Sequence, residues 1–226
     1  MTEAPDTPKS RLLAATIEHV AEQGVAGLTL RALAEAIGTS HRMLIYHFGS
    51  KEELLVEVVR AVERRQRDTL AELDLDTSLS TLETMRRLWG RVADPELWPY
   101  ERLFFELYGQ ALQDRPGTTG LLDGIVDAWL VPLIALGRKQ GLDPDEARAN
   151  ARLLLGVTRG LLLDLLATGD RAAVDEALER FVALYQADLA ARPASPDGAS
   201  TAPAIDQQVR FFVAMQPGST PPESSQ

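Results

Sequence analysis

The chain has no cysteine, only three histidines, and no uninterrupted apolar run of the length a membrane span requires. The first absence excludes disulfides, thiolate nucleophiles and cysteine metal sites. His19, His41 and His47 all lie within the first 47 residues, so the larger remainder has neither imidazole nor thiol for general-base or nucleophilic work. A phosphate-cradling glycine loop and a His/Asp metal spacing are missing as well. No catalysis, no cofactor and no metal are therefore expected. The N-terminal sequence MTEAPDTPKS has neither a basic n-region nor an apolar h-region, which, with the missing span, predicts a cytoplasmic protein that does not enter a membrane.

Core material is present in quantity: 226 residues, 45% hydrophobic and 25% charged, enough for one or two domains with a proper core. The net charge of -10 argues at first against nucleic acid, because phosphates repel an acidic body. Its distribution reverses that reading. Residues 1–51 carry five bases and five acids, and the whole excess lies downstream, where 18 bases face 28 acids. An acidic body beside a neutral N-terminus keeps non-specific DNA binding weak and makes binding depend on local contacts.

Those contacts point to the stretch from Thr29 to Lys51, TLRALAEAIGTSHRMLIYHFGSK. Leu30, Leu33, Ala34 and Ile37 recur at i, i+3, i+4 and i+7, one apolar face of a short helix, with Arg31 and Glu35 pointing outward. Thr29 can cap that helix, Gly38 suits a left-handed C-cap, and Ser40 can cap a second helix two residues later. At about 100° per residue, Leu44 and Phe48 share the core side of the second helix, and Arg42 and Tyr46 centre on the opposite face, flanked by Met43 and His47. No acid occurs between Ile37 and Ser50. An outward face of Arg, Met, Tyr and His without carboxylates suits a polyanion.

At these residues the chain resembles a known family. Thr29-x-Arg31-x-Leu33-Ala34, then Gly38-x-Ser40, then Leu44-x-x-His47-Phe48-x-Ser50-Lys51-Glu52-Glu53-Leu54 is similar to the DNA-binding domain of the tetracycline-repressor (TetR) family, over roughly residues 9 to 60. One departure is Ile45, where members commonly carry Tyr; Tyr46 then takes over the phosphate contact. The resemblance implies an all-α fold: an N-terminal three-helix helix-turn-helix DNA-binding domain plus a C-terminal helical ligand-binding and dimerisation domain. It implies a transcriptional regulator, read as a ligand-responsive repressor that binds a pseudo-palindromic double-stranded DNA operator as a homodimer. The candidate DNA-contacting residues are Thr29, Arg31, Ser40, His41, Arg42, Met43, Tyr46, His47 and Lys51. Arg42 can hold guanine or phosphate, Tyr46 and His47 can donate to phosphates, and Met43 can meet a thymine methyl. The rival reading is a helical adaptor that has lost specific DNA binding.

The four expected segments are a disordered arm over residues 1–8, the helix-turn-helix domain over 9–50, the effector-binding and dimerisation domain over 51–192, and a Pro/Ser-rich, largely disordered tail over 193–226. Helix 1 is placed at about Lys9 to Gln23. Ser50-x-x-Glu53 reads as a capping box for a fourth helix to about Leu73, whose Glu63-Arg64-Arg65-Gln66-Arg67 cluster reads as a solvated face. Recurring cap signals then place helices near 81–93, 95–114, 119–140, 144–168 and 171–190. Within the tail, Asp206 to Met215 reads as a short docking helix.

Leu153 to Leu166 is apolar on more than one side, and Gly156 and Gly160 permit close helix approach. The candidate dimer interface is Leu153, Gly156, Arg159, Gly160 and Leu163, with Ala177, Phe181, Leu184 and Tyr185 from the last helix. Arg159 and Asp164 inside this run either pair at the interface or meet a carboxylate-bearing ligand. The resemblance places an effector pocket in the middle helices, where aromatic residues concentrate. Its candidate lining is Trp89, Trp98, Arg102, Phe105, Tyr108 and Trp129, with Arg86, Glu101 and Glu106 as further polar choices, and it implies a small apolar or aromatic effector.

Overall fold

In the computed structural model, residues 7–75 and 79–191 are described. They form α1 (Pro8–Gln23), α2 (Leu30–Ala36), α3 (His41–Phe48), α4 (Lys51–Leu75), α5 (Thr81–Val92), α6 (Trp98–Ala111), α7 (Asp127–Lys139), α8 (Pro144–Thr168) and α9 (Arg171–Ala190), with no strand among the described residues. The chain divides into two compact units, 1–187 and 188–226. The cores and the cavity lie in the first. The greater part of the second, including the tail and its Asp206 to Met215 segment, lies outside the described residues, as do residues 1–6 of the arm.

Local chemistry explains most helix ends. Thr7 caps α1, accepting from the Ser10 backbone while the Ser10 hydroxyl returns a bond to the Thr7 backbone, and Pro8 takes the first turn, where its missing N–H costs nothing. Thr7 and Pro8, given to the arm from sequence, thus belong to the first helix. The Ser50 hydroxyl accepts from the Glu53 backbone at 3.1 Å and reaches the Glu53 carboxylate at 3.1 Å, which starts α4.

Two expected helices are broken. The 95–114 segment begins as a single 3-10 turn, Pro95–Leu97, before α6; Asp94 caps Glu96, and Pro99 in the first turn of α6 has no N–H to continue an α-helical ladder. The 119–140 segment holds a 3-10 turn, Thr119–Leu122, then α7, because Asp123 is extended and Gly124 adopts φ +69°. Thr119–Lys139 is long and apolar enough by composition to cross a membrane, contrary to the sequence reading. Its interruption at residues 123–126 and the burial of Leu121, Ile125, Trp129, Leu130, Leu133 and Leu136 in the two cores account for that composition.

One core joins Val20 of α1, Leu30 and Leu33 of α2, Leu44 and Phe48 of α3, the first half of α4, and Tyr100, Leu103, Phe104 and Leu107 of α6. The other joins Leu70, Trp89, Trp129, Leu133, Leu155, Leu162, Leu165 and Val174. One contact ties α6 to α1, and two tie the segment after α6 to α4. The Tyr100 hydroxyl donates to the Ile17 carbonyl at 2.8 Å, and the Arg60 guanidinium donates to the Gly120 carbonyl. Gly117, at φ +80°, lies against the first turn of α4 so closely that a Cβ there would stand 2.9 Å from Glu52 Cβ.

Candidate nucleic-acid interface and internal cavity

α2 and α3 are joined by a turn that the residues at 37–40 dictate. Gly38 adopts φ +69°, the Thr39 N–H donates to the Ala34 carbonyl at 2.8 Å, and the Ser40 side chain accepts from the Met43 N–H at 3.2 Å. Thr29 caps α2 in the same way through Ala32 at 3.2 Å. Leu44 and Phe48 are buried, whereas His41, Arg42, Met43, Ile45 and Tyr46 are exposed, Tyr46 the most at 78%. Arg31 is exposed on α2, and Lys51, half-buried, pairs with Glu52 at 3.8 Å. His47 is half-buried between the Tyr46 and Phe48 rings, with centroids at 5.0 and 6.3 Å, and its Nε2 is buried without a hydrogen-bond partner. Thr29, Arg31, Ser40, His41, Arg42, Met43 and Tyr46 are thus exposed, and His47 and Lys51 half-buried.

The positions named for dimerisation separate into two groups. Leu153, Gly156, Gly160 and Leu163 on α8 are exposed, as are Ala177 and Leu184 on α9. Phe181 and Tyr185 turn inward: their rings stack at 6.3 Å, and the buried Tyr185 hydroxyl bonds Gln140 Oε1 at 2.9 Å. A Cβ at Gly156 or Gly160 would meet nothing within 4 Å in this chain. A mid-helix glycine costs about 1 kcal/mol relative to alanine, and the chain's own packing requires neither one. Asp164 is exposed in the single chain.

Arg159 does not face outward with the glycines. Its guanidinium lies 5.2 Å from the Phe104 ring centroid and 5.5 Å from that of Tyr108, and reaches the Ile125 carbonyl at 3.5 Å. It lines a cavity of about 50 Å³ together with Glu63, Gln66, Glu101, Phe104, Phe105, Trp129 and several aliphatic side chains. Glu63 and Glu101 are 7% and 3% exposed. Trp129 Nε1 donates to Glu63 Oε2 at 2.5 Å, and Gln66 Nε2 donates to Glu101 Oε1 at 2.6 Å. Burial pushes the Glu63 carboxyl above its ordinary value despite the Trp129 bond, Arg159 and Arg67. Burial likewise pushes Glu101 up to about 7, with Gln66 and Arg159 opposing and Glu63 adding to the rise.

This arrangement corrects the reading of the 63–67 cluster as a solvated face: Glu63 and Gln66 are core-facing, and Arg67 is half-buried over the Trp129 ring at 5.8 Å. Of the positions named for an effector, Phe105, Trp129 and Glu101 line the cavity. Trp89 belongs to a neighbouring, smaller recess and donates to Asp175 at 2.7 Å. Trp98 donates to the Ala93 carbonyl at 3.2 Å with Arg102 over its ring at 5.5 Å, and neither lines the cavity. Tyr108 does not line it but lies against Arg159 and Phe104, which do.

Residues 12–58, which include α2, α3 and the start of α4, match the family model described as bacterial regulatory proteins, tetR family. That stretch of the chain is similar to the tetR family. It is 31% identical over 110 residues to the HTH-type transcriptional repressor AcnR of Corynebacterium efficiens, an alignment covering 49% of this chain and 54% of that protein. The chain thus spans about half the length of the curated relatives it matches first. Among solved structures, a TetR transcriptional regulator from Legionella pneumophila shares the fold at TM-score 0.61 and 19% identity, covering 82% of this chain and 99% of that one. A transcriptional regulator from Saccharomonospora viridis, in complex with choline, does so at 0.59 and 22% identity, covering 79% and 95%. The cavity-lining polar residues that the sequence reading missed are Glu63 and Gln66. Their only local signal was a carboxylate and an amide three residues apart on α4, on the side that proves to be shared by α6, α7 and α8.

Proposed function

We propose that the chain is a ligand-responsive transcriptional repressor that binds a pseudo-palindromic operator as a homodimer in the cytoplasm. Residues 9–50 act as the DNA-binding domain and 51–192 as the effector-binding and dimerisation domain. The observation that carries this reading is the exposed, carboxylate-free face of α3, on which Arg42, Met43 and Tyr46 project away from a buried Leu44 and Phe48. Arg42 and Tyr46 bind bases or phosphates, the N-terminus of α4 with Lys51 holds a phosphate, and Thr29, Arg31, Ser40, His41 and His47 complete the contact set. Two copies place their recognition helices in successive major grooves, about 34–36 Å apart or a multiple of it.

The second copy docks on the exposed stripe of Leu153, Gly156, Gly160 and Leu163 on α8 with Ala177 and Leu184 on α9. Two glycines without an internal packing role support that docking, since they let a partner helix approach closely. The effector enters the cavity between α4, α6, α7 and α8. A neighbour of this fold bound to a small molecule, choline, supports a ligand-responsive reading. Because Tyr100, Arg60 and Gly117 couple the body to α1 and α4, a ligand that prefers a different α4–α6 spacing shifts the population away from the DNA-competent dimer.

Fluorescence anisotropy of the purified protein on its own upstream promoter, across a salt series and against scrambled duplex, tests this. Tight, salt-sensitive binding to the promoter at two chains per site is expected. Absence of specific binding there and across a genomic fragment pool would refute it in favour of a helical adaptor.

A further inference from the structure

We propose, resting on the reading of this chain as an effector-responsive regulator, that the effector is an uncharged straight-chain carbonyl compound. Its oxygen is held by Arg159 in the cavity, and its alkyl tail passes Thr158 into the recess beside it. The charges at the cavity already match: Glu63 and Glu101 face Arg159, and Arg67 lies 3.8 Å from Glu63. An ionic head would add an unpaired charge to this balanced, desolvated group. The ring faces are taken as well, Phe104 and Tyr108 by Arg159 and Trp129 by Arg67.

What the cavity leaves open is hydrogen-bond donors. Trp129 spends its indole N–H on Glu63, and Gln66 donates to Glu101. Arg159 and Thr158, consecutive on α8, also line the space. Among the described residues the guanidinium reaches only the Ile125 carbonyl, at 3.5 Å, and the Thr158 hydroxyl has no hydrogen bond. Neither contributes to the buried polar atoms left without a partner, so both remain accessible. With its face on two rings, the guanidinium offers its N–H edge. Two such donors one residue apart suit an oxygen with two lone pairs and no proton of its own, which is a carbonyl.

The tail has its own place. A recess of about 40 Å³ lies beside the cavity of about 50 Å³, and Leu88, Leu133 and Thr158 line both, so the two spaces adjoin at these side chains. Its further wall is Leu70, Met85, Leu136, Leu154, Leu178 and Val182. The polar groups that border it are already engaged: Arg86 on Glu179 at 2.8 and 2.9 Å, and the Trp89 indole on Asp175 at 2.7 Å. Such a wall favours methylenes over any polar group. At roughly one water-sized group per 10–15 Å³, the two spaces together hold about seven non-hydrogen atoms, a carbonyl head with a short alkyl chain. A ligand lying across both ties α4 and α6 to α5 and α9.

Ligand-observed NMR titration of the full chain with methyl pentyl ketone, heptanoate and heptylammonium compares a neutral molecule, an anion and a cation of similar length. At about pH 8, where carboxylates and guanidiniums are ionised, the ketone is expected to bind at least about tenfold more tightly than either ion. From methyl ethyl to methyl pentyl ketone, affinity should rise about fourfold per methylene. Met85→Trp, which fills the recess from a half-buried position, should flatten that rise. Arg159→Met should weaken the ketone at least about tenfold, the loss of a charged hydrogen-bond donor, and Arg159→Lys should restore part of it; circular dichroism confirms that each variant is folded. Equal or tighter binding of either ion, no binding of the ketones, or no dependence on chain length would overturn the proposal without any variant. A length dependence that Met85→Trp leaves intact would overturn it too. Promoter binding measured on the same preparation separates the two readings. Specific DNA binding without ketone binding removes this site and leaves the regulator, and ketone binding without specific DNA binding does the reverse.

Discussion

Replacing Glu101 with glutamine should change the pH dependence of stability. The side chain is 3% exposed and its carboxyl is pushed from an ordinary 4.5 to about 7, chiefly by burial. The folded chain therefore holds a proton that the unfolded chain loses above 4.5, so stability falls as pH rises through this window and levels off beyond about 7. At 1.36 kcal/mol per pH unit, the gap amounts to about 3 kcal/mol. Glutamine keeps the acceptor for Gln66 and carries no charge to bury. Glu101→Gln should thus match the parent near pH 4.5 and exceed it by about 3 kcal/mol near pH 8. Urea unfolding followed by circular dichroism at fixed protein concentration measures the difference between the two profiles, from which the exposed carboxylates cancel. Glu63 remains in both proteins and ionises more easily once its neighbour is neutral, which adds to the gain. Parallel profiles, or a gain that grows toward low pH, would refute the burial argument.

Arg42→Ala should lower promoter affinity by about 1–3 kcal/mol in anisotropy while leaving the oligomeric state unchanged; full affinity removes Arg42 from the contact set. Gly160→Trp should give monomers by light scattering together with weak DNA binding, and an intact dimer would relocate the interface. Tyr100→Phe, which deletes the bond to the Ile17 carbonyl, should cost about 1 kcal/mol in urea unfolding and reduce the effect of the effector on DNA binding; a neutral result on both counts would show that the contact transmits nothing. Trp129→Phe leaves Glu63 without its indole donor and should destabilise the chain by about 1–3 kcal/mol at neutral pH, with the deficit shrinking in acid as Glu63 protonates.

The exposed face of α3 was legible because its determinants are local. Leu33, Leu44 and Phe48 mark the buried side by helical spacing, and Gly38 and Ser40 specify the turn through backbone preference and a cap, all within about one helix-turn-helix length of chain. The exposed α8 stripe was legible for the same reason: Gly156 and Gly160 stand out inside an apolar run. The cavity was not. Periodicity assigns one inward face to a helix, whereas α4 is covered on different sides by α1, α3, α5, α6 and α7, so Glu63 and Gln66 looked like members of a solvated cluster. Arg159 and Asp164 were treated alike, yet the first turns onto Phe104 and the second into solvent.

By itself the sequence determined the helical class, most helix starts, the placement of Arg42 and Tyr46 opposite Leu44, and the charge contrast between residues 1–51 and the body. These depend on neighbours within a few residues, where hydrogen-bond caps and side-chain spacing act. Only the tertiary structure decided that the 119–139 stretch breaks at Gly124, that Phe181 and Tyr185 face inward, and that Glu63, Glu101 and Arg159, drawn from three helices, line one desolvated space. Burial is a property of what other helices bring to a side chain. The balance of charge in that space exists only once α4, α6, α7 and α8 have packed.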